Sequence, residues 1–193
     1  MIVVHPLDPS TRMLGLIYEG IDNVTLFDSW EQREEILKAI AAAPREEPIL
    51  LLGHGCPSGL YDMRYGLVIR NSDAELLKDR PNLVGIWCYA SDYAYANGLK
   101  GFFSGMFISE EPEAWVNGVD ASEEEVDEKV WDFSGRMGEL IRSGKPLADV
   151  AAELMDPKHI DSELTRFNYS RLTWRPTGTE PLPPGSAREM YSV

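Results

Sequence analysis

Hydrophobic residues in the first two thirds of the chain form short unbroken runs, separated by stretches of helical periodicity. Four consecutive apolar residues, 49–52, lie between Pro48 and Gly53, and a second apolar run covers 83–87. Runs of this length without polar alternation are typical of strands buried on both faces of a parallel sheet. Strands alternating with helices predict a layered α/β domain. We therefore expect a three-layer α/β/α fold around a mostly parallel sheet.

The same pattern predicts five strands and the helices between them. The strands are expected at 2–4, 24–27, 49–52, 83–87 and 101–108. The helices are expected at 13–20, from a capping box at 29–32 to 43, at 72–77 and at 91–99. With right-handed crossovers, the most economical sheet order is 2-1-3-4-5. This order places the strands that end in His5, His54 and Cys88 side by side at the centre of the sheet.

The last third of the chain differs in character from the first two thirds. It begins with an acidic stretch over 110–128, in which Ser122 and Glu125 form a capping box for a long amphipathic helix. A further helix is expected from Pro146, a strand or extended segment at 167–174 and a loop at 177–185. We expect residues 1–109 to form the α/β core, with 110–193 as an acidic helical extension and tail packed on the same domain.

Composition and charge exclude several classes of protein. The chain has 193 residues and a formal net charge of −14, which argues against binding to nucleic acid, because phosphates require a basic surface. No apolar run approaches the roughly 20 residues of a membrane span, and the first residues lack the features of a signal peptide. Two cysteines do not make a disulfide framework. We expect an acidic, soluble, cytoplasmic protein that does not bind membranes.

Two chemically reactive side chains follow the two most hydrophobic runs. His54 lies between two glycines after the first run, and Cys88 follows the second, 34 residues later (88 − 54). That separation accommodates a crossover helix between adjacent parallel strands, so both side chains are expected at the same edge of the sheet. An imidazole close to a thiol lowers the thiol pKa and activates it as a nucleophile. The N–H groups of Gly55 and Cys88 are the expected oxyanion donors.

The chain resembles the caspase-like cysteine peptidases in the order of its elements. A hydrophobic strand is followed by His54 and Gly55, and a second hydrophobic strand is followed by Cys88. This family includes caspases, gingipains, clostripain, separase and bacterial domains with the same core. The resemblance covers roughly residues 1–109 and implies that His54 is the base, Cys88 the nucleophile and Gly55 an oxyanion donor. It implies peptide or protein substrates and neither a metal nor an organic cofactor. Around Cys88 the chain departs from the family, with Trp87 before it and Tyr89 after it.

Several further residues are candidates for the cleft. His5 and Asp8 end the neighbouring strand, and Asp8 is expected either to orient an imidazole or to cap the following helix. Asp62 and Asp92 are candidates for a carboxylate that binds a positively charged substrate side chain, as in family members selective for Arg or Lys. The alternative for both is an ordinary surface charge.

Other functions stay open at this stage. A caspase-like fold is also compatible with a binding module that has no catalytic activity. A flavodoxin-like or receiver-like sheet is a third possibility, although the loop after the first strand contains no glycine and no P-loop. Cys56 lies two residues after His54, so a redox pair with Cys88 or a metal site that includes His54 is a further alternative.

Overall fold

A six-stranded sheet forms the centre of the protein, with five parallel strands and one antiparallel strand at its edge. The computed structural model describes residues 1–6, 8–29, 32–62, 64 and 66–187. The central strands are β1 (Ile2–Val4), β2 (Thr25–Phe27), β3 (Ile49–Leu52), β7 (Leu83–Ile86), β8 (Gly101–Ser104) and β9 (Leu172–Arg175). Their order across the sheet is β2-β1-β3-β7-β8-β9. The strands that precede His5, His54 and Cys88 are thus neighbours, as the hydrophobic pattern predicts.

A second, smaller sheet follows β3 directly. It is antiparallel, in the order β4-β5-β6, and consists of β4 (Gly55–Cys56), β5 (Gly59–Tyr61) and β6 (Leu67–Arg70). Gly59 has a φ of 144°, and a Cβ at this position would lie 1.9 Å from the carbonyl oxygen of Ile69. Glycine is therefore required where these two strands meet. Residues 63 and 65, between β5 and β6, lie outside the described residues.

Helices cover both faces of the central sheet. The α-helices are α1 (Arg33–Ala42), α2 (Ala90–Asn97), α3 (Glu111–Val116), α4 (Glu123–Arg142), α5 (Leu147–Leu154) and α6 (Glu163–Tyr169), and 3-10 helices cover Pro9–Ile17, Asn71–Leu76 and Pro157–His159. Every residue of β3 and β7 is buried, and alternate residues face opposite layers. On one face they pack against α1 and α2; on the other they pack against α4, α5, α6 and the helix over Pro9–Ile17. The α/β class and the mostly parallel sheet are as predicted.

Some boundaries differ from the prediction. The helix expected at 13–20 is a 3-10 helix that begins at Pro9, because Asp8 caps it by accepting a hydrogen bond from the N–H of Ser10. The fifth strand ends at Ser104 and not at 108, with one further hydrogen bond from the N–H of Gly105 to the carbonyl of Arg171. The segment expected to be extended at 167–174 is split between α6 and β9.

The acidic last third is an integral part of the fold. The N–H of Glu125 donates to the Ser122 hydroxyl at the start of α4, as its sequence pattern predicts. Helices α4 and α5 bury the apolar face of the sheet opposite α1, and β9 extends the sheet beside β8. Residues 188–193 of this part lie outside the described residues. The same holds for residues 30 and 31 of the capping box predicted at 29–32. Within the described ranges, no helix has the length and apolar character needed to cross a membrane.

Candidate active site

The ends of two adjacent parallel strands bring His54 and Cys88 to one cleft. Leu52 and Ile86 are paired across β3 and β7, and His54 and Cys88 each follow two residues later. Both side chains lie at the carboxyl edge of the sheet, where open α/β sheets bind ligands. They line a cleft of about 490 Å³. The other walls of this cleft are formed by the second sheet, the start of the 3-10 helix over 9–17 and the segment before α3.

A left-handed turn places Cys88 between β7 and α2. Tyr89 has a φ of 69° and precedes the first turn of α2, and its N–H donates to the carbonyl of Gly105 at 2.9 Å. A non-glycine residue in this conformation costs on the order of 1 kcal/mol, and such strain clusters at functional sites. The turn ends the buried strand abruptly, so Cys88 faces the cleft instead of continuing into the core.

Buried acceptors surround the thiol of Cys88. Its Sγ atom donates to the carbonyl of Phe107 at 3.5 Å and lies 3.7 Å from Oε1 of Glu113. Burial, followed by the negative charge of Glu113, raises the pKa of this thiol well above its usual range. The structure thus holds the sulfur as a neutral thiol. Any nucleophilic role requires a base to remove its proton during the attack.

Glu113 is held in place by the loop before α3. Its Oε2 atom accepts hydrogen bonds from the N–H of Ser109 at 2.8 Å and from the Ser109 hydroxyl at 3.2 Å. Burial nevertheless raises the pKa of this carboxyl, and the Ser109 contacts oppose the rise only in part. Glu113 therefore presents a fixed carboxyl to the sulfur of Cys88.

A hydrogen-bonded chain connects His54 to Asp8 through Ser10. The Oγ atom of Ser10 lies 2.7 Å from Nε2 of His54 and 2.6 Å from Oδ1 of Asp8. Hydrogen bonds from the side chain and N–H of Ser10 lower the pKa of Asp8, with a smaller contribution from His54, so Asp8 is an acceptor only. The single Ser10 proton therefore goes to Asp8, and His54 donates its Nε2–H to Ser10. In the neutral imidazole, Nδ1 of His54 is then the unprotonated nitrogen, as a base requires.

Gly55 lies at the free edge of the small sheet. The N–H of Tyr61 donates to the carbonyl of His54 at 2.8 Å, so the pair Gly55–Leu60 is of the non-hydrogen-bonded type. The N–H of Gly55 consequently points away from β5, on the edge strand that lines the cleft. A Cβ here would lie 2.1 Å from Cδ1 of Trp87, so only glycine allows this close approach.

Not every candidate from the sequence lines the cleft. Asp8, Asp62, His54, Gly55 and Cys88 do. Asp62 also holds the turn between β5 and β6, because its Oδ1 accepts from the N–H groups of Arg64 and Gly66 at 2.7 and 2.8 Å. Its position at the cleft therefore has a structural reason as well.

The expectation that His5 and Asp92 border the cleft is wrong. His5 is fully buried, with Nδ1 lying 3.0 Å from the Tyr18 hydroxyl and Nε2 lying 3.4 Å from the Thr11 hydroxyl. Burial lowers its pKa to about 4, so it is a neutral core residue. Asp92 lies in the first turn of α2 and is only 2% exposed. The ring of His5 turns inward to Tyr18, and Asp92 is buried on the helix that follows Cys88.

Ser10 and Tyr61 also line the cleft, although sequence reasoning did not place them there. Ser10 carries a usable signal, since it lies two residues after Asp8 at the end of a strand that neighbours the His54 strand. Tyr61 carries none, because its place depends on how β5 folds back beside β4. The carbonyl of Cys56 accepts from Nε1 of Trp87 at 3.2 Å, and its thiol accepts from the N–H of Ser58 at 3.4 Å.

Comparisons with known proteins identify no relative: the chain matches no protein-family model, and no curated protein matches it. Among the residues that the structure describes, no three His, Cys, Asp or Glu side chains are grouped as metal ligands.

Proposed function

We propose that the protein is a cysteine-dependent hydrolase that cleaves peptide bonds, with a core related to the caspase-like peptidases. The observation that carries this proposal is the presence of His54 and Cys88 on one cleft, each two residues after an adjacent parallel strand. The substrate is a peptide or a protein. Both cysteines are free thiols, which suits the cytoplasmic location that we also propose.

We propose His54 as the general base, a role that its hydrogen bond to Ser10 supports. With Nε2–H directed to Ser10, its Nδ1 atom accepts the thiol proton as Sγ of Cys88 attacks the substrate carbonyl. The protonated imidazole then gives this proton to the leaving amine, and a thioester forms on Cys88. Water hydrolyses the thioester, with the same nitrogen accepting a proton from the water and then returning it to the thiolate.

The oxyanion formed in each step needs donors at the cleft. The N–H of Gly55 lies on the edge of β4 and is not used by β5, so it is suited to this role. We propose the N–H of Cys88 as the second donor. Backbone donors of this kind contribute on the order of 3 kcal/mol each to the transition state.

A peptide library tests this proposal. Wild type, His54→Ala, Cys88→Ser and Cys56→Ser are incubated with the library, and the products are identified by mass spectrometry. We expect cleavage by wild type and Cys56→Ser and none by the other two. Cleavage that survives Cys88→Ser would rule out the thiol mechanism.

A second candidate is a binding module without catalytic activity. One observation favours it: burial and the neighbouring Glu113 raise the pKa of the Cys88 thiol, the opposite of an activated thiolate. In that case Cys88→Ser would leave binding of a peptide ligand unchanged, and no peptide in the library would be cleaved by wild type.

A further inference from the structure

Helix α3 ends in two exposed hydrophobic side chains. Trp115 is 81% exposed and Val116 is 73% exposed, whereas the other exposed large hydrophobic residues that the structure describes are each between 38% and 41% exposed. Adjacent apolar side chains this exposed are unusual on a protein that works alone, and they mark surfaces that bind other molecules. The preceding residue, Ala114, is fully buried and anchors the helix.

This pair lies on the helix that also contributes to the candidate active site, and Trp115, four residues after Glu111, shares a helix face with it. Glu113, two residues before Trp115, lines the cleft beside Cys88, and Glu110 also lines it. Glu110 is shared with a second depression of about 690 Å³, which extends from the cleft along Glu111, Glu123 and the first turn of α4. Trp115 and Val116 therefore lie on the same short helix as residues that line a continuous groove.

Negatively charged side chains outnumber positively charged ones in this groove. Glu110, Glu111, Glu123 and Asp127 line the second depression, where Arg12 is the basic residue. None of these four carboxylates forms an ion pair with any residue in the described part of the chain. Carboxylates on other surfaces do find partners, as Asp161 does with Lys129 at 3.0 Å. The groove thus offers uncompensated negative charge beside an apolar patch.

We propose that the Trp115–Val116 end of α3 and the acidic depression beside it form a docking surface for a basic polypeptide segment that carries an apolar side chain. This inference rests on the proposed function, because it assigns the segment to the substrate, flanking the bond at Cys88. The carboxylates attract and orient the basic residues, and the apolar side chain packs on Trp115. The net charge of −14 strengthens this attraction at low ionic strength.

Binding is measured on the Cys88→Ser variant, so that no result depends on catalysis. The probe is a fluorescein-labelled peptide, Lys-Arg-Lys-Ile-Leu-Lys-Arg, followed by fluorescence anisotropy. The comparison peptide has glutamate at every basic position. We expect the basic peptide to bind, the acidic peptide not to bind, and the affinity to fall with added salt.

Variants of the surface locate the binding. We expect Trp115→Ala and the double variant Glu111→Gln/Glu123→Gln each to weaken binding about tenfold. The matched controls are Trp131→Ala, an exposed tryptophan of α4, and Glu139→Gln, towards the other end of α4, and both should bind as the parent does. All these side chains are exposed, so the variants are expected to fold.

The proposal would be overturned by no binding of the basic peptide, by equal binding of the acidic one, or by unchanged affinity in the Trp115 and glutamate variants. Sedimentation that shows a dimer lost in Trp115→Ala would assign the surface to a second copy of the chain and also overturn it. The proposed hydrolase is judged separately by wild-type cleavage. If the basic peptide binds but wild type cleaves no peptide, the docking surface stands and the hydrolase is refuted. If wild type cleaves peptides but the surface variants bind the basic peptide as the parent does, the hydrolase stands and the docking surface is refuted.

Discussion

The Oγ atom of Ser10 lies 2.7 Å from Nε2 of His54, and the same oxygen lies 2.6 Å from a carboxylate oxygen of Asp8. This arrangement fixes which imidazole nitrogen carries the proton. It also connects the first strand of the sheet to the third through side chains at the cleft. Ser10 is thus a positioning residue for His54, and Asp8 acts on the imidazole through it.

Loss of the Ser10 hydroxyl should slow the reaction. In Ser10→Ala the Nε2–H of His54 loses its acceptor, so the imidazole is free to turn and to change tautomer. We expect kcat for peptide cleavage to fall about tenfold or more, with little change in KM. Ser58→Ala removes a hydroxyl outside the cleft lining and should cleave as wild type does. An unchanged kcat in Ser10→Ala would mean that the contact does not position the base.

Neutralising Glu113 should make Cys88 more reactive. Burial raises the pKa of the thiol most, and the charge of Glu113 adds to it, so Glu113→Gln lowers that pKa only in part. Alkylation of Cys88 by iodoacetamide is expected to become severalfold faster at pH 8, with its pH profile moved to lower pH. The control is Glu139→Gln on the distant end of α4. A slower reaction in Glu113→Gln would show that the carboxyl assists the thiol.

The buried His5 should make the protein sensitive to acid. Burial lowers the pKa of His5 to about 4 in the folded protein, whereas its pKa in the unfolded chain is near 6.5. The unfolded chain therefore binds a proton at His5 more readily than the folded protein does. The stability due to neutral His5 is complete above pH 6.5 and is lost as the pH falls to about 4. This loss amounts to up to about 3 kcal/mol.

Urea unfolding at pH 7 and pH 4 measures this effect. The His5→Gln variant is expected to lose less unfolding free energy between the two pH values than wild type, by about 2 to 3 kcal/mol. Equal losses in the two proteins would show that His5 is protonated in the folded state.

Gly55 is expected to tolerate no side chain. A Cβ there would lie 2.1 Å from Trp87 and 2.6 Å from the carbonyl oxygen of Gly59, so β4 must move. We expect Gly55→Ala to lose about 1–3 kcal/mol of unfolding free energy and most of its peptide cleavage. Gly135→Ala, in the interior of α4 with its nearest neighbour at 3.9 Å, is the matched control and should be neutral or slightly stabilising. Full activity and unchanged stability in Gly55→Ala would contradict the close approach of Gly55 to Trp87.

The sheet could be predicted from the sequence because its central strands are buried on both faces. The runs at 49–52 and 83–86 have no polar residue to obscure them, and their neighbours in space follow from the crossover rules. The antiparallel strand β9 has a weaker sequence signal. Its sequence, Leu172–Arg175, alternates apolar and polar residues over only four positions, and its pairing with β8 depends on α6 reversing the chain.

The candidate site was predictable where it depends on strand ends and unpredictable where it depends on side-chain direction. His54 and Cys88 follow two parallel strands, so topology alone brings them together. His5 also follows a parallel strand, but its ring turns inward to Tyr18. The contact of Glu113 with Cys88 joins residues 25 positions apart through a loop that has no periodic pattern.

Covalent labelling of Cys88 tests the partnership of His54 and Cys88 most directly. A peptidyl acyloxymethyl ketone with arginine next to the ketone is added to wild type, Cys56→Ser and His54→Ala, and the modified residue and rate are read by mass spectrometry. The expected result is labelling at Cys88 in wild type and Cys56→Ser, and labelling at least about tenfold slower in His54→Ala. Modification at Cys56, or an unchanged rate at Cys88 in His54→Ala, would contradict a joint catalytic role.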